Sequence, residues 1–144
     1  MFSIRKMRIE DAEESARVSA ETMQDSWNRY EKKHYPKKAL EFDMSLHVSE
    51  NYKKMTQEPN NFLFVAQEHG RIIGVATGKI LRGYEKVGGL ALLSWICVHP
   101  PQQRKGIGEA LLNHAVGYCK EQKCHKVTLY TLPVLVPALN LYLK

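Results

Sequence analysis

Leu93-Ser94-Trp95-Ile96-Cys97-Val98-His99-Pro100-Pro101-Gln102-Gln103-Arg104-Lys105-Gly106-Ile107-Gly108-Glu109-Ala110-Leu111-Leu112 reads as a strand, a loop and then a helix. The almost wholly apolar run from Leu90 to Val98 is what a strand covered on both faces requires. Pro100 and Pro101 stop it, since proline cannot donate to a ladder. A helix then runs from Gly106 to about Gln122, with Ile107, Leu111, Ala115 and Tyr118 at helical spacing. Gly106 and Gly108 remove side chains where a ligand must approach the backbone. The N–H groups at a helix start lack partners, and the helix dipole adds partial positive charge there, a combination that holds a phosphate or pyrophosphate. Arg104 and Lys105 add mobile cations. Other phosphate loops fit worse: no Gly-Lys-Ser/Thr follows, and no G-x-G-x-x-G follows the first strand. The plain alternative is a helix-start turn with no ligand.

Working outward, Phe2 to Arg8 alternates apolar and basic residues and predicts a first strand, with Phe2, Ile4 and Met7 inward. Asp11 is positioned to cap a helix whose buried face carries Ala12, Ala16, Ser19 and Met23. Ser26 to Pro36 is polar, aromatic and basic. A second helix covers much of Lys38 to Met55, with Phe42, Met44, Leu46 and Val48 on or beside its apolar face. Phe62–Ala66 and Arg71–Leu81 form a hairpin around Glu68-His69-Gly70-Arg71. Gly83 to Gly89 is a loop, Lys126 to Thr131 a strand, and Ala138 to Lys144 the start of a last helix. The order βααβββαβα predicts one α/β (α+β) domain over residues 1–144, a mixed sheet with helices on both faces.

A chain of 144 residues with 44% hydrophobic and 25% charged residues can bury one core without disulfides or metals. Cys97, Cys119 and Cys124 are an odd count without paired spacing and read as small apolar residues. Cys119, Cys124 and His125 lack the spacing of common zinc sites, so no metal is expected. The N-terminus lacks the apolar run of a signal peptide, and no stretch is long and apolar enough for a spanning helix, which reads as a cytoplasmic chain without membrane contact. A net charge of +6 favours anionic partners without choosing among nucleic acid, membrane surface and a phosphate-bearing cofactor.

The loop resembles the signature Q/R-x-x-G-x-G/A of the GNAT superfamily of N-acetyltransferases, present as Gln103, Gly106 and Gly108. Val98-His99-Pro100 precedes it at the family's usual distance, Ala138-x-x-Leu141-Tyr142-x-Lys144 resembles a second family block, and the order of elements agrees. The resemblance implies an acetyl-CoA-dependent N-acetyltransferase acting on a primary amine of a small molecule or peptide by direct attack in a ternary complex. It implies that Ile96, Cys97 and Val98 meet the pantetheine arm where the strand splays from the next. It implies that Gln103, Arg104, Lys105, Gly106, Ile107, Gly108 and Glu109 surround the pyrophosphate, and that Tyr142 protonates the departing thiolate. A tyrosine packed in a helix–sheet seam is the bland alternative for Tyr142.

This sequence also departs from the family pattern. Ser94 and Trp95 stand where members often carry a carboxylate, Tyr130 where some place a glutamate, and Leu135 where an asparagine often begins the last helix. The general base therefore has no motif; Glu85, Asp43, Glu41 and His34 are options, each ordinarily a solvated group. Family domains usually continue with two further strands beyond Lys144. That leaves a truncated chain, a shortened product or completion by a partner, and an open edge at Val127 and Leu129 predicts a homodimer. Two other functions compete: a module that binds acyl-CoA without turnover, and a nucleic-acid binder using Arg29, Lys32, Lys33, Lys37 and Lys38 with Tyr30 and Tyr35. The ordinary meaning of the second feature is a solvated basic face. Trp27 to Asp43 is the expected acceptor region, lined with aromatics, and its cations favour a peptide or a weakly charged amine over a polyamine.

Overall fold

The computed structural model describes residues 1–81, 86 and 88–129. Its elements are β1 (Ser3–Lys6), α1 (Ala12–Ser26), α2 (Lys37–Leu46), α3 (Ser49–Gln57), β2 (Asn61–Glu68), β3 (Arg71–Leu81), β4 (Leu90–Val98), α4 (Ile107–Glu121) and β5 (Lys126–Leu129). The strands form one sheet in sequence order, antiparallel throughout except for the parallel pair β4–β5. The mixed sheet with helices on both faces is as the sequence predicts. The expected helix from Ala138 onward lies outside the described residues. No helix among the described residues is long and apolar enough to cross a membrane.

One core lies between the sheet and α4, built on Phe62, Phe64, Ala76, Leu93, Ile107 and Leu111. The other lies under α1 and α3, built on Ala12, Val18, Val65, Val75, Tyr52 and Cys97. Strand residues alternate between these cores because side chains on a strand point to opposite faces. In β4 the alternation is interrupted once. Thr77 pairs with Trp95 and Gly78 with Leu93, so Ser94 is an extra residue, a bulge. Ala91 and Leu93 belong to the α4 core; without the bulge, Trp95 and Cys97 would follow them there. The extra residue sends Ile96 and Val98 to the α4 side and turns Trp95 and Cys97 toward α1.

Three expectations need correction. Asp11 does not cap α1 with its side chain: its backbone is already helical, at φ −84° and ψ −7°. A 3-10 turn over Ile9–Asp11 starts the helix earlier. The Asp11 carboxylate instead accepts from both terminal nitrogens of Arg5 (2.7 and 3.0 Å) and from the Arg8 N–H (2.7 Å), tying β1 to α1. The Arg5 guanidinium holds this carboxyl below the usual carboxylate range.

The single helix expected over Lys38 to Met55 is two helices. The chain breaks at His47 (φ −105°, ψ 56°) and Val48 (φ −114°, ψ 153°). Asn51 Nδ2 donates to the Leu46 carbonyl at 2.6 Å and so satisfies the end of α2. The break lets α3 bury Tyr52 under the sheet while α2 buries Leu40 against Met23 and Trp27. As a result the apolar face expected on α2 turns to solvent: Phe42, Leu46 and Val48 are 65%, 45% and 46% exposed.

Gly74 sets how closely α4 approaches the sheet. A Cβ there would lie 2.8 Å from Leu111 Cδ1 and 3.1 Å from the Cys97 carbonyl oxygen. Because Leu111 is fully buried, it has nowhere to retreat. Gly74→Val should therefore lower stability by about 1–3 kcal/mol, the usual range for overpacking, read as a lower urea midpoint at unchanged slope.

Candidate cofactor and acceptor site

β4 has a partner along its whole length on one side only. β3 pairs with it from Leu90 to Val98, whereas β5 pairs only from Leu90–Lys126 to Leu93–Leu129. Beyond Leu93, no strand among the described residues pairs with that second edge. Ile96, Cys97 and Val98 have no partner on that edge among the described residues, and they lead directly into the loop.

The loop is pinned at several points. The His99 N–H donates to Ile73 O at 2.8 Å, and His99 Nε2 meets Glu21 Oε1 at 2.8 Å. Pro100–Gln102 makes a 3-10 turn. Gln103 Nε2 donates to Val98 O at 3.0 Å, so this signature residue ties the loop to the end of β4. At the far end, Ile107 is buried in the α4 core. Between these anchors Arg104 and Gly106 take left-handed backbone conformations, at φ 67° and 80°. Arg104, Lys105 and Gly106 face solvent, with Lys105 Nζ 3.0 Å from Gln102 Oε1.

Gly106 is the N-cap of α4 and offers no side-chain cap. The first bond of the helix closes from the Ala110 N–H to Gly106 O at 3.1 Å. The N–H groups of Ile107, Gly108 and Glu109 therefore have no acceptor among the described residues, as at any uncapped helix start. A Cβ on Gly106 would meet nothing within 4 Å among the described residues, so the side of the helix start at Gly106 is uncrowded. Free N–H groups, the positive end of the α4 dipole and two exposed cations make a cradle whose chemistry fits a pyrophosphate. Glu109, exposed in the first turn, carries the same charge as such a ligand.

The α1 side of the open strand end carries a buried polar chain that sequence reasoning missed. Trp95 Nε1 donates to Ser19 Oγ at 3.0 Å. Ser19 Oγ lies 2.8 Å from the Tyr52 hydroxyl, which lies 2.8 Å from His47 Nδ1. The His47 ring packs against Trp95 at a tilt of 45°, with centroids 4.5 Å apart. Ser19 Oγ also reaches Cys97 Sγ at 3.8 Å. Burial lowers the His47 imidazole to about 4 and pushes the Cys97 thiol up to about 11. Nothing in the sequence marked this chain, because its members come from α1, the α2–α3 break, α3 and β4, and the break itself was read as helix.

Of the bases considered from sequence, Glu41 and His34 are exposed, and Asp43 is half-buried with its carboxyl raised by desolvation. Glu85, Tyr130, Leu135 and Tyr142 lie outside the described residues. Ser94 is exposed at the bulge. Lys32, Lys33, Lys37 and Lys38 face solvent, and Arg29 pairs with Asp25 at 3.1 Å.

The sequence matches the family model described as acetyltransferase (GNAT) family over residues 14–144. It is 31% identical over 85 residues to a mycothiol acetyltransferase of Arthrobacter sp. (strain FB24); the match covers 59% of this chain and 26% of that protein. The chain thus spans about a quarter of that curated relative. Among solved structures, the PaiA N-acetyltransferase of Thermoplasma acidophilum in complex with coenzyme A has the same fold, with a TM-score of 0.81, 21% identity, and coverage of 99% of this chain and 87% of that one. An aminoglycoside acetyltransferase from an uncultured soil metagenomic sample, in complex with sisomicin, superposes with a TM-score of 0.71 at 21% identity, covering 98% and 84%.

The cysteines give a direct check of the site's packing. Cys97 and Cys119 are buried with thiols at about 11, and Cys124 is partly exposed. At pH 8 a thiol at 11 is only about one part in a thousand thiolate, the reactive form. Iodoacetamide at that pH should label Cys124 alone in the folded protein and all three in urea, as read by peptide mass spectrometry.

Proposed function

We propose that this chain, which belongs to the GNAT acetyltransferase family, is an N-acetyltransferase that moves the acetyl group of acetyl-CoA to the primary amine of a small molecule or peptide. The observation that carries the reading is that the end of β4, whose second edge has no partner among the described residues, leads into the uncapped start of α4. In this reading Ile96, Cys97 and Val98 bind the pantetheine arm through backbone groups. Arg104, Lys105 and the N–H groups of Ile107, Gly108 and Glu109 hold the pyrophosphate, and Gln103 fixes the loop that presents them. The amine attacks the thioester carbonyl directly, and a backbone N–H of β4 polarises that carbonyl as a preorganised donor. Tyr142 gives a proton to the departing thiolate. Cys97 is not an acyl carrier, because its buried thiol stays protonated at neutral pH. Residues 1–144 act as one domain, and the reaction needs no metal.

Membership of an acetyltransferase family and the cradle support this reading over a nucleic-acid binder. The solvent-facing lysines of residues 32–38 are an ordinary basic surface. Binding of acyl-CoA without turnover is the other outcome, and release of free CoA with a panel of amines separates the two.

Gly106→Glu should weaken acetyl-CoA binding by at least tenfold in calorimetry, because a carboxylate would stand before the free N–H groups. Unchanged affinity would remove the pyrophosphate from this loop. Tyr142→Phe should lower kcat by about 100-fold, within the range for lost general acid catalysis, while leaving acetyl-CoA affinity within about threefold. Equal kcat would leave Tyr142 a packing role only.

A further inference from the structure

Acetyl transfer to an amine releases a proton, and no carboxylate of β4 is available to take it: Ser94 and Trp95 occupy the strand just past the last β4–β5 pair. The α4 side of β4 is filled by Ile107 and Leu111. A small acceptor must therefore reach the open strand end from the side of Trp95. His47 packs against that ring, tilted by 45° with centroids 4.5 Å apart, and its Nδ1 is held by the Tyr52 hydroxyl at 2.8 Å, while Nε2 has no partner among the described residues. We propose that His47, on the α2–α3 break, takes the acceptor amine's proton at Nε2, in place of a strand carboxylate. The proposal rests on the acetyl-transfer reading above.

The hydrogen bonds support one proton arrangement that survives the step. The Trp95 indole can only donate, so Ser19 Oγ accepts from it. Ser19 can then turn its own proton toward Cys97, and the Tyr52 hydroxyl donates to Ser19. Tyr52 then accepts the His47 Nδ1–H, which leaves a lone pair at Nε2. When Nε2 gains a proton, the imidazolium keeps the same Nδ1–H bond and nothing in the chain must reorganise. Tyr52 itself stays neutral, since burial raises its phenol. Among the described residues, the hydrogen-bonded chain leads from His47 through Tyr52 and Ser19 to Cys97, which burial keeps protonated, and Asp43, its carboxyl raised by desolvation, lies four positions earlier in the sequence.

The step balances. As the amine nitrogen uses its lone pair to form the C–N bond, its N–H becomes acidic. That bond breaks toward Nε2, the C–S bond breaks with its electron pair on sulfur, and the thiolate takes a separate proton. His47 afterwards returns its proton to solvent. Because burial keeps the imidazole uncharged above about pH 4, the lone pair is present throughout the neutral range.

His47→Ala should lower kcat by about 100-fold, the low end for a lost general base, with acetyl-CoA affinity within about threefold of wild type. Added imidazoles should restore turnover, and the restored rate should rise with the pKa of the imidazole among those of similar size. Tyr52→Phe keeps the ring but frees His47, and should lower kcat by about tenfold without imidazole rescue. His47→Gln, with urea midpoints for every variant, provides a second loss of the base in a well-packed protein. A kcat within about threefold of wild type in folded His47→Ala or His47→Gln overturns the role of His47 and leaves acetyl transfer standing. Rescue that follows imidazole size and ignores basicity also overturns it, since cavity filling explains that pattern. A wild type that binds acetyl-CoA yet releases no CoA with any amine overturns both readings.

Discussion

At Ser94 two residues of β4 oppose one of β3, and the faces of the strand exchange. The rest of the site follows from that insertion. Without it, Trp95 and Cys97 would point into the α4 core, and Ile96 and Val98 would point away from it. With it, α4 packs on Ile96 and Val98 near its own start, and Trp95 closes against α1 and the α2–α3 break. The bulge lies one residue past Leu93, the last residue of β4 paired with β5 among the described residues.

The loop after β4 is held firmly while its functional groups are left bare. Gln103, His99 and the buried Ile107 anchor it to β4, β3, α1 and the core. Two left-handed residues between the anchors face solvent, and the cap of α4 is the one residue type with no side chain to offer. A serine or aspartate would gain only about a few tenths of a kcal/mol over glycine as a cap, and at φ 80° its side chain would be strained. Leaving the donors free keeps them available to an anion.

The opposite side of the strand is built on different physics. Trp95, Ser19, Tyr52 and His47 form a chain in which the buried polar atoms are matched by partners of suitable geometry. Buried polar groups are tolerable when satisfied in this way, and such chains rigidify what surrounds them. Here the chain fixes the α2–α3 break, and the break in turn carries His47 to the face of Trp95. By contrast, Phe42, Leu46 and Val48 are left at the surface because α2 uses its other side, Leu40 and Met44, against Trp27 and Tyr35.

The amino-acid sequence alone determined the order of the strands, the strand–loop–helix unit and the residues of the loop. These are local properties: a nine-residue apolar run, two prolines, two glycines and an apolar stripe at helical spacing act through neighbours in sequence. The family resemblance was legible for the same reason, since its motif lies within that unit. The tertiary structure decided what depends on distant partners. A one-residue bulge leaves no mark in an apolar run, because Leu93, Ser94 and Trp95 would suit either register. The break at His47 and Val48 was invisible because Lys38 to Met55 contains no proline or glycine, and the contacts made across it, Tyr52 with Ser19 and Leu40 with Met23 and Trp27, join residues far apart in sequence. Asp11 looked like a cap until Arg5, on the neighbouring strand, supplied a charged partner that a helix N–H cannot match. His47 acquires its setting from residues 28 positions before it and 48 after it along the chain, Ser19 and Trp95, and no local pattern carries that information.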